Sequence, residues 1–155
     1  ATDGKNLYVA VADLRWDSLD LLDPALQMDP SAGGGVFALR LEDGHIVWEA
    51  PAIQCGDRPQ CSPAQTAAVT AIPGVIFAGS ISGHLRAFDT KDGRVLWQYD
   101  TARAYKTVND ATGKGGALDA TGPVIVDGWV YLVSGYSKWG GLPGNVLLAF
   151  SPTTR

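Results

Sequence analysis

The chain is poor in glutamate, methionine, cysteine and charge, and each shortage excludes something. Of its 16 acidic residues only Glu42 and Glu49 are glutamate; the rest are aspartate. Glutamate forms helix readily, whereas aspartate competes for the backbone and favours turns. With a single methionine as well (Met28), long helices are excluded. Charged residues make up 18% of the chain, against roughly 25% in an ordinary domain. The 12 lysines and arginines are scattered and the net charge is −4, which argues against a nucleic-acid surface, since that needs clustered cations. No apolar run approaches the ~20 residues of a membrane span, and no signal peptide is visible. The chain begins with Ala1 rather than Met and stops at Arg155 soon after a strand-like run, as a processed chain or a piece of a longer one would.

What is abundant is glycine, 19 of 155 residues, roughly 12% against a usual ~7%. A hydrophobic content of 46% supplies the material for a core. The pattern that organises it is an internal repeat. Gly35-Val36-Phe37-Ala38-Leu39 followed by Asp43-Gly44-His45-Ile46-Val47-Trp48 aligns with His84-Leu85-Arg86-Ala87-Phe88 followed by Asp92-Gly93-Arg94-Val95-Leu96-Trp97. Ala38 and Ala87, Gly44 and Gly93, and Trp48 and Trp97 all share one spacing of 49 residues. A third copy begins at Asn145-Val146-Leu147-Leu148-Ala149-Phe150 and stops before its glycine and tryptophan.

A second shared strand lies upstream of each copy: Leu7 to Val11, Val75 to Gly79 and Trp129 to Val133, each entered through Asp3-Gly4, Pro73-Gly74 or Asp127-Gly128. Ala67 to Ile72 and Pro123 to Val126 supply a further strand ahead of two of them. The unit is therefore four short strands, A to D, joined by turns. Such a unit repeating near 49 residues reads as a blade of an all-β propeller of four-stranded antiparallel sheets. Residues 1–50 hold strands B to D with an insertion, 65–100 a complete blade, and 122–151 strands A to C. Trp48 and Trp97 read as structural residues packed between blades, where a flat, stiff side chain fits. His45 and His84 follow glycines without ligand-spaced neighbours and read as solvated turn residues.

Ala87-Phe88-Asp89-Thr90-Lys91-Asp92-Gly93-Arg94-Val95-Leu96-Trp97 resembles the tryptophan-docking repeat, A-x-D-x-x-x-G-x-x-x-W, of pyrroloquinoline quinone (PQQ) dehydrogenase propellers. The first copy departs from it, with Arg40 where the second has Asp89. The runs Cys61-Ser62-Pro63-Ala64-Gln65-Thr66-Ala67-Ala68-Val69-Thr70-Ala71-Ile72-Pro73-Gly74 and Gly140-Gly141-Leu142-Pro143-Gly144-Asn145-Val146-Leu147-Leu148-Ala149-Phe150 are similar to the polyvinyl-alcohol-dehydrogenase branch. The resemblance implies a periplasmic or secreted quinoprotein of about eight blades, of which this chain is a C-terminal fragment. It further implies PQQ beside a divalent cation, usually calcium, oxidation of an alcohol or polymer substrate, and electron transfer to a cytochrome c. The C-x-x-C-H haem motif often present in this branch is absent here. Non-enzymatic propellers of the outer-membrane-assembly scaffold type carry the same repeat, so a scaffold or binding module of the periplasm is the competing expectation. The chain alone is not expected to be active, because its partners would include the remaining blades of the parent.

Strand order selects the functional face. The A–B and C–D links are tight turns, whereas the long connections, 13–34, 51–64, 101–122 and 135–144, are all B–C or D–A links and fall on one face. Long loops seldom persist without a use. Strand A lines the channel, which brings 62–66 and 118–121 nearest the axis. Asp119 there can accept a proton from an alcohol or ligate a hard cation, or can cap the turn before Gly122-Pro123. Gln65 can hydrogen-bond quinone carbonyls or satisfy loop backbone. Arg103 and Lys106 can neutralise PQQ carboxylates or simply be solvated. Tyr136 and Trp139 are candidates for a stacking surface over a ring cofactor or a polymer. Asp17, Asp20, Asp23 and Asp29 lack the spacing of a calcium loop and read as a solvated acidic loop. Cys55 and Cys61 match neither zinc, redox nor haem spacings, and read as a disulfide suited to an oxidising compartment.

Overall fold

The computed structural model describes residues 1–17, 27–137 and 140–152. Every regular element among them is a strand. β1 (Asn6–Ala10), β2 (Gly35–Arg40) and β3 (Ile46–Pro51) form one sheet; β4 (Thr70–Ile72), β5 (Val75–Gly79), β6 (His84–Asp89) and β7 (Val95–Asp100) form the second; β10 (Val124–Val126), β11 (Trp129–Ser134) and β12 (Val146–Phe150) form the third. All pairings within these sheets are antiparallel and join consecutive strands. A short hairpin, β8 (Ala104–Lys106) and β9 (Thr112–Lys114), stands in the connection between the second and third sheets.

The turn chemistry is local. At Asp127-Gly128 both residues have positive φ, 49° and 79°, as the twist of a two-residue hairpin requires. At Pro73-Gly74 the proline fixes the first turn residue and Gly74 takes φ 82° at the second. β2–β3 and β6–β7 each carry a register shift at the same repeat position, after Ala38 and after Ala87.

The sheets pack face to face through two apolar seams. The first joins Tyr8, Val36, Ala38, Trp48 and Ala50 to Ile76, Ala78 and Phe88. The second joins Phe77, Leu85 and Ala87 to Leu118 and Leu132, with Ile125, Val130 and Phe150 beside them. Trp48 closes the first seam: it is 7% exposed, its Nε1 donates to the Thr90 carbonyl at 3.0 Å, and its ring lies flat over Phe88 at 6.2 Å. A Cβ at Gly93 would lie 2.5 Å from the same ring.

Trp97 has no such cover. It is 36% exposed, stacks on Tyr99 and meets Phe150 edge-on, and opens with Phe77, Ala87, Ile125 and Gly128 into an apolar groove of about 590 Å³. Trp48 is buried in the seam, whereas Trp97 is half open. The physical reason is that Trp48 rests on the turn between β6 and β7 of the next sheet, and no described turn follows β12. The same contrast runs across the strands: Leu85 is fully buried by the third sheet, while its repeat counterpart Leu147 is 67% exposed. Val124, Val126, Trp129 and Val133 are exposed around Leu147. The third sheet thus buries one face and leaves an apolar face open. The assembly is a partial β-propeller.

Candidate functional site

The long connections interlock at one end of the sheets. Ile81 N donates to Ala64 O at 3.0 Å, Leu118 N to Ser80 O at 3.0 Å, and Ala117 N to Leu142 O at 2.8 Å. Ser62 Oγ reaches Ala32 O, and Met28, Ala64, Ile81 and Ala117 form an apolar layer beneath these loops. Approaching β4 and β10, the two chain segments run side by side: Ala67 bridges Ala120 in parallel, Thr66 Oγ1 donates to Leu118 O at 3.2 Å, and Thr70 Oγ1 to Pro123 O at 2.6 Å.

Gln65 and Asp119 stand on these two segments, each five residues before its strand, so they occupy the same position of consecutive units. Both are buried. Gln65 Nε2 donates to Pro63 O at 2.9 Å, which fixes the amide and leaves Oε1 buried without a hydrogen-bond partner. An orphaned buried acceptor costs about 1–3 kcal/mol. Ser137 Oγ donates to Asp119 Oδ2 at 3.5 Å, which brings this residue of the third unit to the carboxylate. Ala120, next to it, has φ 62°, a left-handed conformation that costs a non-glycine residue about 1 kcal/mol.

The other candidates lie elsewhere. Arg103 is on the approach to the β8–β9 hairpin; its guanidinium sits 4.5 Å from the Tyr99 ring and 5.4 Å from the Tyr105 ring, and Nη2 donates to Tyr99 OH. Lys106 is the exposed last residue of β8. Tyr136 is exposed on the loop that carries Ser137. Trp139 lies outside the described residues, as do Asp20 and Asp23. Asp17 and Asp29 accept backbone N–H groups of Gln27 and Ser31, as turn-forming residues do. Among the described residues no three His, Cys, Asp or Glu side chains converge as a metal site.

Cys55 and Cys61 form a disulfide. Inside it, Arg58 forks onto Asp100, with Nη2–Oδ2 2.5 Å and Nη1–Oδ1 3.2 Å, and also donates to Ser82 O. His84 is not a solvated turn residue: it opens β6, and its Nδ1 lies 3.0 Å from Ser82 Oγ. Burial pushes its pKa down, Asp100 opposes that, and Arg58 and Arg86 add to it. Burial pushes Asp100 up, but the Arg58 fork and the Ala102 N–H outweigh it, leaving its carboxyl below the usual range. No local pattern in the sequence links Arg58 to Asp100; an arginine bracketed by two cysteines was the one available signal.

These features define a β-propeller section whose long loops carry buried polar groups at the inner edge. Residues 26–151 match the PQQ_2 family, described as outer membrane protein assembly factor BamB, and the chain belongs to that family. It is similar to the polyvinylalcohol dehydrogenase of Pseudomonas sp, 44% identical over 97% of this chain, and to that of Sphingopyxis sp. (strain 113P3), 38% identical over 97%. The chain spans 24% of the length of each of these relatives. Among solved structures, BamB from Moraxella catarrhalis matches with a TM-score of 0.49 at 20% identity, over 83% of this chain and 33% of that one.

Proposed function

We propose that this chain is a section of a PQQ-dependent alcohol dehydrogenase of the polyvinyl-alcohol-dehydrogenase type, acting in the periplasm or outside the cell. The observation that carries the reading is the pair of buried polar residues, Gln65 and Asp119, at equivalent inner positions of adjacent units, in a chain 44% identical to such an enzyme along nearly its whole length. The Cys55–Cys61 disulfide supports an oxidising compartment. The open face around Leu147 supports further sheets of a parent chain as partners.

PQQ, when bound, supplies the two-electron acceptor for the alcohol, and a cytochrome c would take the electrons onward. Gln65 Oε1, lacking a partner, is the acceptor available to an N–H or O–H of the bound molecule. Asp119, with Ser137 Oγ 3.5 Å from its Oδ2, is the carboxylate assigned to take the alcohol proton. Tyr136, next to Ser137 in the chain, is an exposed ring. Arg103, held between two tyrosine rings, is a weaker partner for a cofactor carboxylate. One carboxylate and one amide do not make a calcium site, so calcium would need ligands from other blades, and no step is assigned to it.

The test is dye reduction with secondary alcohols by the full-length parent reconstituted with PQQ and calcium. Asp119→Asn is expected to lower kcat by about 10²–10⁴-fold while PQQ still binds. A parent with no cofactor-dependent absorbance and no turnover would leave the second reading, a periplasmic scaffold, which the family's description as an assembly factor favours.

A further inference from the structure

A chain of polar contacts runs through the loop face between the two segments that carry Gln65 and Asp119. It starts inside the disulfide ring, four residues before Ser62. There Arg58 holds Asp100 with both guanidinium nitrogens and holds the Ser82 carbonyl as well. Asp100 Oδ1 also accepts the Ala102 N–H at 3.0 Å. Between them Thr101, fully buried, has Oγ1 2.8 Å from Gly83 O and 3.1 Å from Gly116 O. Ser134 Oγ donates to Thr101 Oγ1 at 2.8 Å and accepts the Gly116 N–H at 2.9 Å. Gly116 leads directly through Ala117 and Leu118 to Asp119, and Cys61 leads through Ser62 to Gln65.

We infer that Arg58 is a positioning residue, which sets Gln65 and Asp119 in register by tying the disulfide loop to the end of β7. The inference rests on the reading of Gln65 and Asp119 as the ligand-facing pair. A lysine can supply the charge but not the fork, because a guanidinium presents parallel donors to both carboxylate oxygens and an ammonium does not. The clamp joins the disulfide loop to the end of one sheet rather than one sheet to another. The seams beneath it are apolar, built on Ile76 and Phe88 on one side and Phe77 and Leu118 on the other, so the sheets stay packed without it.

The full-length parent, with Arg58→Ala and Arg58→Lys, tests this by two readouts. Hydrogen exchange without cofactor is expected to rise about fivefold at 62–66 and at 116–120 in Arg58→Ala, with the seam strands unchanged. PQQ affinity by tryptophan quenching is expected to fall by a similar factor, about fivefold. Arg58→Lys, which reads the same coupling if the alanine variant fails to fold, should recover less than half of either loss. Unchanged exchange at 116–120 in both variants would overturn the inference. Raised exchange in a parent that binds no PQQ supports the coupling and overturns only the functional reading.

Discussion

Two glycines in equivalent turns provide a controlled measurement of what holds adjacent sheets together. Gly44 and Gly93 have nearly the same backbone, φ 73° and 71°. Nothing stands within 4 Å of where a Cβ on Gly44 would point, whereas a Cβ on Gly93 would lie 2.5 Å from Trp48 Cε3 and 2.7 Å from Cδ2. Gly44→Ala should therefore cost only the left-handed penalty, about 1 kcal/mol. Gly93→Ala carries the same penalty and must also push the indole back by about 1 Å to reach ordinary carbon contact. That retreat breaks the Nε1–Thr90 bond, worth about 1 kcal/mol, and strains the packing on Phe88 and Tyr8 by about 1–2 kcal/mol. The excess over Gly44→Ala is then about 2–3 kcal/mol, or about 5–10 °C in melting temperature for a chain of this size. Thermal unfolding followed by tryptophan fluorescence measures it. In a Trp48→Leu background the two glycine substitutions should become equivalent, because the obstacle is gone. Equal destabilisation by both in the native background, within about 0.5 kcal/mol, would refute the role given to Trp48.

Two further measurements address the loop face. His84 is held below its ordinary value of 6.5 by burial, so the unfolded chain takes up the proton first; its contribution is complete above pH 6.5 and stability is lost as pH falls through that value. Denaturation midpoints at about pH 7.5 and about pH 5.5 should differ less in His84→Asn than in the native chain, and an unchanged difference would count against a lowered His84 pKa in the folded chain. Replacing Cys55 and Cys61 by serine should lower stability by ~2 kcal/mol, the contribution of a short closed loop. Mass measurement of the native protein with and without reductant checks the bond itself, and two free thiols would contradict it.

Much of the fold was legible because its determinants are local and repeated. Asp127-Gly128 and Pro73-Gly74 specify their turns through two residues each, and the 49-residue spacing of Trp48 and Trp97 identified the unit before any pairing was known. The misjudged parts depend on distant partners. Ala67 to Ile72 reads as one strand, yet the ladder to β5 spans only Thr70–Ile72, because Ala67 bridges Ala120 of the neighbouring unit instead. The β8–β9 hairpin has strands of three residues each, too short for an alternation to register. His84 looked solvated because Asp100 and Arg58, which crowd it, arrive from other segments.

The repeat also separates what maintains the fold from what is particular to the site. Trp48 and Trp97, Ala38 and Ala87, and Gly44 and Gly93 recur at one spacing, and Trp48 shows the packing at the turn end that this repeat supplies. At the loop end the equivalent position holds Gln65 in one unit and Asp119 in the next, an amide and an acid that no shared packing demand explains. Both are buried, and a buried polar group is a cost unless something satisfies it. In Gln65 the protein leaves Oε1 unsatisfied while fixing the amide against Pro63 and bracing the same loop with a disulfide and the Arg58–Asp100 pair. Rigidity around such an acceptor is what preorganisation for a bound molecule requires, which is why we propose the site at Gln65 and Asp119 rather than at the tryptophans.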